Sequence, residues 1–309
     1  MAAPCAKDRR SRVRRTWGSE GVASTVGTIM ALMIFLTLLS VFTNQYVPVW
    51  MEDNEAKHMA FVEMQFGQLK WGMDNQILAA QFGGTHEIMV YTPITLGSEG
   101  VPMFASPTAG ILNINPGKGN CSVVLGYNIT GGSITDYTIY SNTTGTIEMY
   151  APNRYYVQQR MIYENDALLL VQPDGMLVKS MPQFVVRKEG DMYRVSLTQV
   201  GLIGVNKSYA GTGTTGIHTA LRYAATEYLE ISERLNLTTN ATIVIGSEQA
   251  QAWHTYISNY LNRSGVSPSA YVLSPVAANS FVLEFDRAAL LSFSITTAHF
   301  ELFVGEEGS

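Results

Sequence analysis

From Val22 to Met51 the chain carries 30 residues without a charged side chain. As a helix that run is roughly 45 Å long, against a membrane hydrocarbon core of about 30 Å. A segment of this composition must be buried in protein, inserted in lipid or removed. A cleavable secretory signal has an apolar stretch of about 7–15 residues followed by a small-residue site. This run is longer and ends in NQYVPVWMEDNE. Tyr46 and Trp50 suit a membrane–water interface, and Glu52, Asp53 and Glu55 then mark the return to water as a solvated acidic collar. Pro48 is expected to bend or interrupt the helix near that surface, because it lacks an amide donor and crowds the preceding turn.

Charge gives the segment a direction. Residues 1–21 hold six basic side chains, Lys7, Arg9, Arg10, Arg12, Arg14 and Arg15, and two acids, Asp8 and Glu20. The rest of the chain holds 14 basic and 23 acidic residues, a net charge of -9. By the positive-inside rule the basic head stays cytoplasmic and the body faces outward. Arg9-Arg10 and Arg14-Arg15 also fit, loosely, a twin-arginine export signal. An acidic body argues against nucleic acid as a partner. The two cysteines, Cys5 and Cys121, fall on opposite sides of the apolar run, so no bridge between them is expected and stability must come from a packed core.

Ala23, Gly27 and Ala31 recur every four residues and form a small-residue ridge on which another membrane helix can pack. The order of basic residues, Gly21 and then VASTVGTIMALMIF resembles the class III signal of archaeal type IV pilins and pilin-like surface proteins. In that family a prepilin peptidase cuts before the apolar helix, on the cytoplasmic side. The resemblance places the cut at Gly21–Val22, with Val22 to Gly27 as the start of the mature helix. Glu20 departs from the family, where a basic or neutral residue is commoner. The stretch DALLLVQPDGMLVKSMPQFVVRKEGDMYRVSLTQV resembles the β-rich ectodomain of archaeal pilin-like proteins.

Beyond the membrane run, Met59, Val62, Phe66, Leu69, Met73 and Ile77 recur at three or four. One apolar stripe on a continuing helix follows, packed against a head and ended by Gly83-Gly84. The remainder reads mostly as strands separated by turn residues, among them HEIMVYTPITL, AGILNIN, CSVVLGYNIT, GTIEMYA, DALLLVQ, NSFVLEF and LLSFSITTAHFELFV. Pro173-Asp174-Gly175 is a turn, with proline presetting φ and Gly175 accepting a positive φ. In MYRVSLTQV, Tyr193, Val195 and Leu197 alternate with Arg194, Ser196 and Thr198, as in a half-buried antiparallel strand. ALRYAATEYLEI fits helix or strand, with strand preferred. SEQAQAWHTYISNYLNRSG predicts a short helix capped by Ser247, with Trp253, Ile257, Tyr260 and Leu261 on one face and Gly265 as its stop. The expected fold is α+β, a long N-terminal hydrophobic and amphipathic helix followed by a mainly antiparallel β-sandwich head with one short helix. Its segments are a basic leader 1–21, a transmembrane or assembly helix 22–51, an amphipathic continuation 52–82 and a β-rich outer domain 83–309.

Seven of the sixteen asparagines, Asn120, Asn128, Asn142, Asn206, Asn236, Asn240 and Asn262, stand in N-x-[ST] sequons, where chance gives about three. All are candidate glycan sites, expected on exposed turns. GTGTTG, Gly211 to Gly216, matches a dinucleotide-binding spacing but lacks the strand–helix frame such a site needs, so it reads as a flexible turn. His58, His86, His218, His254 and His299 show no metal-ligand spacing, and His254 is expected on the surface or half-buried. Glu306 and Glu307 read as a solubilising tail. No nucleophile–base frame surrounds any serine or cysteine. Neither catalysis nor a cofactor is expected.

The resulting expectation is a pilin-like, membrane-anchored cell-surface protein, a filament subunit or minor pilin with a structural or adhesive role. Its partners are membrane lipid, prepilin peptidase and copies of itself or other pilins. The alternative is a single-pass, signal-anchored surface protein whose β-sandwich binds a partner and does not assemble.

Overall fold

The computed structural model describes residues 19–83, 88–130, 134–232 and 235–305. Residues 1–18 of the leader, Gly84, His86, Glu306 and Glu307 lie outside them. The chain divides into two compact units between Pro48 and Val49.

The first unit contains α1 (Ser19–Val41), a π turn (Phe42–Tyr46) and the first two residues of α2 (Val47–Gln81). The interruption expected near Pro48 takes the form of that π turn. Pro48 has no amide, and its ring crowds the carbonyl four residues earlier. The turn widens the register so that Val47 N–H bonds Phe42 O. Two side chains bond carbonyls of the preceding turn: Thr43 Oγ1 donates to Leu39 O (2.9 Å) and Asn44 Nδ2 to Ser40 O (2.8 Å). Within α1, Val26, Ile29, Met30, Leu32, Met33, Ile34, Phe35, Leu36 and Leu38 are all exposed. Among the described residues this is the one helix long and apolar enough to cross a membrane.

The second unit holds the rest of α2, one further α-helix and fifteen strands among the described residues. The strands begin with β1 (Met89–Thr95), β2 (Gly110–Thr130), β3 (Ile134–Ala151), β4 (Gln159–Glu164) and β5 (Ala167–Gln172). Next come β6 (Gly175–Ser180), β7 (Phe184–Glu189), β8 (Met192–Ile203), β9 (Lys207–Gly211) and β10 (Thr214–Glu230). After β11 (Leu235–Leu237) and β12 (Ala241–Gly246) comes α3 (Ala250–Arg263). The chain closes with β13 (Tyr271–Leu273), β14 (Ser280–Phe285) and β15 (Leu290–Gly305). A five-stranded sheet runs β1-β10-β15-β8-β7. A ten-stranded sheet runs β13-β14-β12-β2-β3-β4-β5-β6, with β9 and β11 also paired to β2.

All pairs are antiparallel except β8 with β15, which run parallel. The antiparallel reading of MYRVSLTQV therefore holds only for its β7 side. The other neighbour is distant in sequence, so no local pattern encodes its direction. AGILNIN and CSVVLGYNIT fuse into one long strand, β2, whose register against β3 jumps between Asn115 and Asn120. ALRYAATEYLEI is strand, within β10 up to Glu230. At the β5–β6 turn Gln172 faces Gly175 directly. The turn residues are thus Pro173 and Asp174, and Gly175 opens β6 without a positive φ. That corrects its expected role, since glycine is also favoured as the last residue of a type I turn.

Two cores hold the unit together. One is built on α2, where Met59, Val62, Phe66, Leu69, Met73 and Ile77 are each 3% exposed or less. All but Met59 join a cluster with residues of β1–β5, β8, β10 and β15. The second gathers under α3, around Trp253, Ile257, Leu261, Phe281, Phe285 and Phe293. β4 serves both: Met161 and Tyr163 belong to the α2 core, and Ile162 between them to the α3 core. A strand buried on both faces loses the polar–apolar alternation of a one-sided sheet. Helix α2 stops where expected, at Gly83, with a φ of 78°. Helix α3 starts at Ala250 rather than at Ser247. The Ser247 hydroxyl accepts from Gln249 N (2.9 Å) and donates to Glu164 Oε2 (2.9 Å). The α3 end follows expectation: Gly265 has a φ of 67° and Val266 N–H bonds Leu261 O.

Candidate functional site

The buried face of α2 is not purely apolar. Glu55 is fully buried. Its carboxylate accepts the amides of Arg154 (3.0 Å), Tyr155 (2.8 Å) and Tyr156 (2.7 Å) and the Thr108 hydroxyl (2.9 Å). Burial by itself raises its pKa, but these donors outweigh that effect and leave it below the ordinary value. The expected solvated collar is therefore corrected at Glu55. Glu52 and Asp53 are exposed, and Asp53 pairs with Lys57 one turn later. The collar reading failed because charge in sequence does not show which face of a helix a carboxylate takes.

Further along α2, the Gln65 amide brackets Thr95, accepting from its backbone N–H (2.9 Å) and donating to its hydroxyl (3.1 Å). Gln76 treats β10 similarly, accepting from Leu221 N (3.1 Å) and donating to Thr219 Oγ1 (3.0 Å). Lys70 reaches Asp166 at 2.6 Å. Each contact recruits a polar group that burial would otherwise leave without water. A single-stripe reading misses them because Glu55, Gln65, Lys70 and Gln76 look polar and hence outward.

The opposite side of α2 carries a second apolar series. Phe61, Met64, Trp71 and Leu78, separated by three, seven and seven residues, are 46%, 49%, 70% and 51% exposed. The sequence reading did not find it, although the seven-residue spacing was a usable signal. On α1, Gly21, Val22 and Ala23 lie in the first helical residues. Gly27 and Ala31 are open: a Cβ on Gly27 would meet nothing within 4 Å, and Ala31 is exposed.

The sequons are spread over the second unit. Asn120, Asn142, Asn206, Asn236 and Asn262 are exposed, and Asn128 and Asn240 are half-buried. Asn206 and Asn240 lie between strands, whereas the other five lie within β2, β3, β11 or α3, so the expectation of exposed turns is corrected. Asn240 has both side-chain groups engaged, donating to Glu284 (2.6 Å) and accepting from Arg287 N (3.0 Å). Of GTGTTG, expected as a flexible turn, only Thr212 and Gly213 lie between strands: Gly211 ends β9 of one sheet and Thr214 opens β10 of the other, which corrects the extent of that turn.

The described histidines stand apart. His58 is buried with Nε2 2.9 Å from Thr95 O, His218 tilts against Tyr91, His299 against Tyr223, and His254 is half-buried on Phe281. Among the described residues no three His, Cys, Asp or Glu side chains converge as metal ligands. Cys121 is buried, and burial pushes its thiol up to about 11, so it is inert as a nucleophile at neutral pH. A cavity of about 20 Å³, water-sized, lies beside it and Trp253. A shallow trough of about 590 Å³ on the five-stranded sheet is lined by Ser196, Thr226, Ser294 and Thr296. Two of its hydroxyls bond each other, with Thr226 and Thr296 oxygens 2.9 Å apart, and Gln81 reaches Thr296 at 3.2 Å.

Glu164 is buried between β4 and α3, and burial pushes its carboxyl up to about 7. An acid with a raised folded pKa keeps its proton longer than in the unfolded chain. Its contribution is therefore fully present below pH 4.5 and lost as pH rises to about 7. Glu164→Gln keeps an acceptor for Ser247 and removes the ionisable group. Its melting temperature at pH 8 is expected above wild type, by the equivalent of about 3 kcal/mol. Thermal melts across pH 4–8 check this; a variant no more stable than wild type at pH 8 refutes it.

Comparison with known proteins gives one informative match. An uncharacterised protein of Archaeoglobus fulgidus is 24% identical over 194 residues, covering 58% of this chain and 30% of that protein. The chain thus spans less than a third of the relative's length. No family model matches. No solved structure matches either.

Proposed function

We propose that the chain is a pilin-like, membrane-anchored surface protein that assembles with copies of itself through its N-terminal helices, displaying the β-rich unit outside the cell. The exposed Phe61–Met64–Trp71–Leu78 series carries this reading. An anchor that works alone needs the apolar α1 but has no use for an apolar stripe on the outer side of a helix already docked to its head. The unpartnered Gly27 and Ala31 add a close-packing surface on α1. The resemblance of the N-terminal sequence to a class III signal supports the same reading.

Two results test it. Mass analysis of the N-terminal peptide from the natural host is expected to begin at Val22. A chain retaining residues 1–21 would overturn the processing step. Trp71→Glu is expected to leave the head's melting temperature within the scatter of surface substitutions, about 0.5 kcal/mol. The same variant abolishes the filaments or oligomers seen by electron microscopy and crosslinking. Unchanged assembly would point to the lone-anchor alternative instead.

A further inference from the structure

Lys70 of α2 and Asp166 of the β4–β5 turn meet inside the second unit. Lys70 Nζ lies 2.6 Å from Asp166 Oδ1. The Asp166 side chain is completely buried and that of Lys70 is 8% exposed. Nζ is also 2.9 Å from Oδ2 of Asp74, one helical turn on. The remaining oxygens are distinct. Asp166 Oδ2 accepts the Gln183 amide at 2.6 Å. Asp74 Oδ1 is buried and accepts from no amide, ammonium or hydroxyl, while the Asp74 and Asp166 carboxyls lie within hydrogen-bonding reach of one another. Leu69 and Met73 adjoin Lys70 and Asp74 in sequence, Tyr163 and Leu168 lie within three residues of Asp166, and all four are buried in the α2 core.

We propose that Lys70 and Asp166 condense into an intramolecular isopeptide bond, with Asp74 carrying the proton. An amine, an electrophilic carboxyl and an oxygen-holding amide stand together where Lys70 and Asp166 are shielded from water, with the proton carrier Asp74, 26% exposed, at the edge of the site. Burial, and then Asp74, push the Asp166 carboxyl up to about 7 despite Lys70, so it is available as the neutral acid. The Lys70 ammonium gives one proton to Asp74 and becomes the neutral amine. Its lone pair attacks Asp166 Cγ, forming the Nζ–Cγ bond, and charge developing on Oδ2 is met by the Gln183 amide. A second proton passes from Nζ through Asp74 to the Oδ1 hydroxyl, which leaves as water when the Cγ–Oδ1 bond breaks. The third proton stays on the amide nitrogen, Asp74 ends protonated, and nothing is oxidised or reduced.

Position supplies the driving force. Fixed partners reach effective molarities of about 10⁵ M or more, and exclusion of water opposes the reverse hydrolysis. The bond would tie α2 to the β4–β5 turn, so that load on the helix reaches the sheet through a covalent path.

The test is mass spectrometry on the full-length folded protein. The wild type is expected to weigh about 18 Da, one water, less than its chain, with a branched peptide joining Lys70 to Asp166 after digestion. Folded Asp74→Ala is expected to keep the full mass, because its proton carrier is gone. A folded wild type of full mass, with Lys70 and Asp166 in separate linear peptides, overturns the proposal. A fully linked Asp74→Ala overturns the part assigned to Asp74. The digest locates the mass difference at the two residues, so the result is independent of cleavage at Gly21–Val22.

Discussion

Glu55→Ala is expected to lower the stability of the second unit by about 3 kcal/mol, or roughly 10 °C in melting temperature. The substitution removes an acceptor held by the amides of Arg154, Tyr155 and Tyr156 and by Thr108. Those three amides then lie at a helix–loop contact with no acceptor, which costs more than the net worth of the bonds themselves. Glu55→Gln is the informative companion, since it keeps one acceptor oxygen but brings an amide group among donors. The pH dependence follows from the direction of the shift. A carboxylate whose folded pKa lies below 4.5 stabilises above that value and loses its contribution as pH falls through the folded pKa. Glu55→Ala should therefore lose most stability near neutrality, with the gap to wild type closing in acid. Melts at pH 7 and pH 3 measure both; equal deficits at the two values would contradict the assignment.

Phe66→Ala is expected to cost about 3–5 kcal/mol, the range for emptying a buried aromatic position. Phe66 is fully buried in the middle of the α2 core, among residues from both sheets. Phe61, on the same helix but 46% exposed, is the control. Phe61→Ala should cost less than about 1 kcal/mol, because a partly exposed side chain leaves no cavity. Denaturant titrations of the two variants compare the faces directly. Equal losses would mean that α2 does not dock as described.

The stripe from Met59 to Ile77 was legible in the sequence because a helix shows a periodic pattern to whatever covers it. The apolar run from Val22 was legible for a simpler reason, since uncharged length is a property of composition. Many strands were legible from β-branched runs and turn residues, and the Gly83 and Gly265 helix ends from the conformational freedom glycine has at positive φ. The fusion of two expected strands into β2 was not, because β9 pairs its first half, β12 pairs its second and β3 pairs both, while 116–119 between them pair with none of these strands. The parallel β8–β15 pair was not, because its partners lie almost 100 residues apart.

The largest difference concerns polar residues on α2. Glu55 read as solvent-facing, and Gln65, Lys70 and Gln76 lie outside the expected apolar stripe, yet all four are buried against amides, hydroxyls or a carboxylate contributed by distant segments. A lone polar letter states a need for a hydrogen-bond partner but not where the partner is. By itself the sequence determined the anchor-length apolar run, the helix that follows it and the strand-rich character of the rest, all local consequences of composition and period. Only the tertiary structure decided which face of α2 is buried at each turn, how the sheets pair and that Lys70 meets Asp166, because those depend on contacts between segments far apart in the chain.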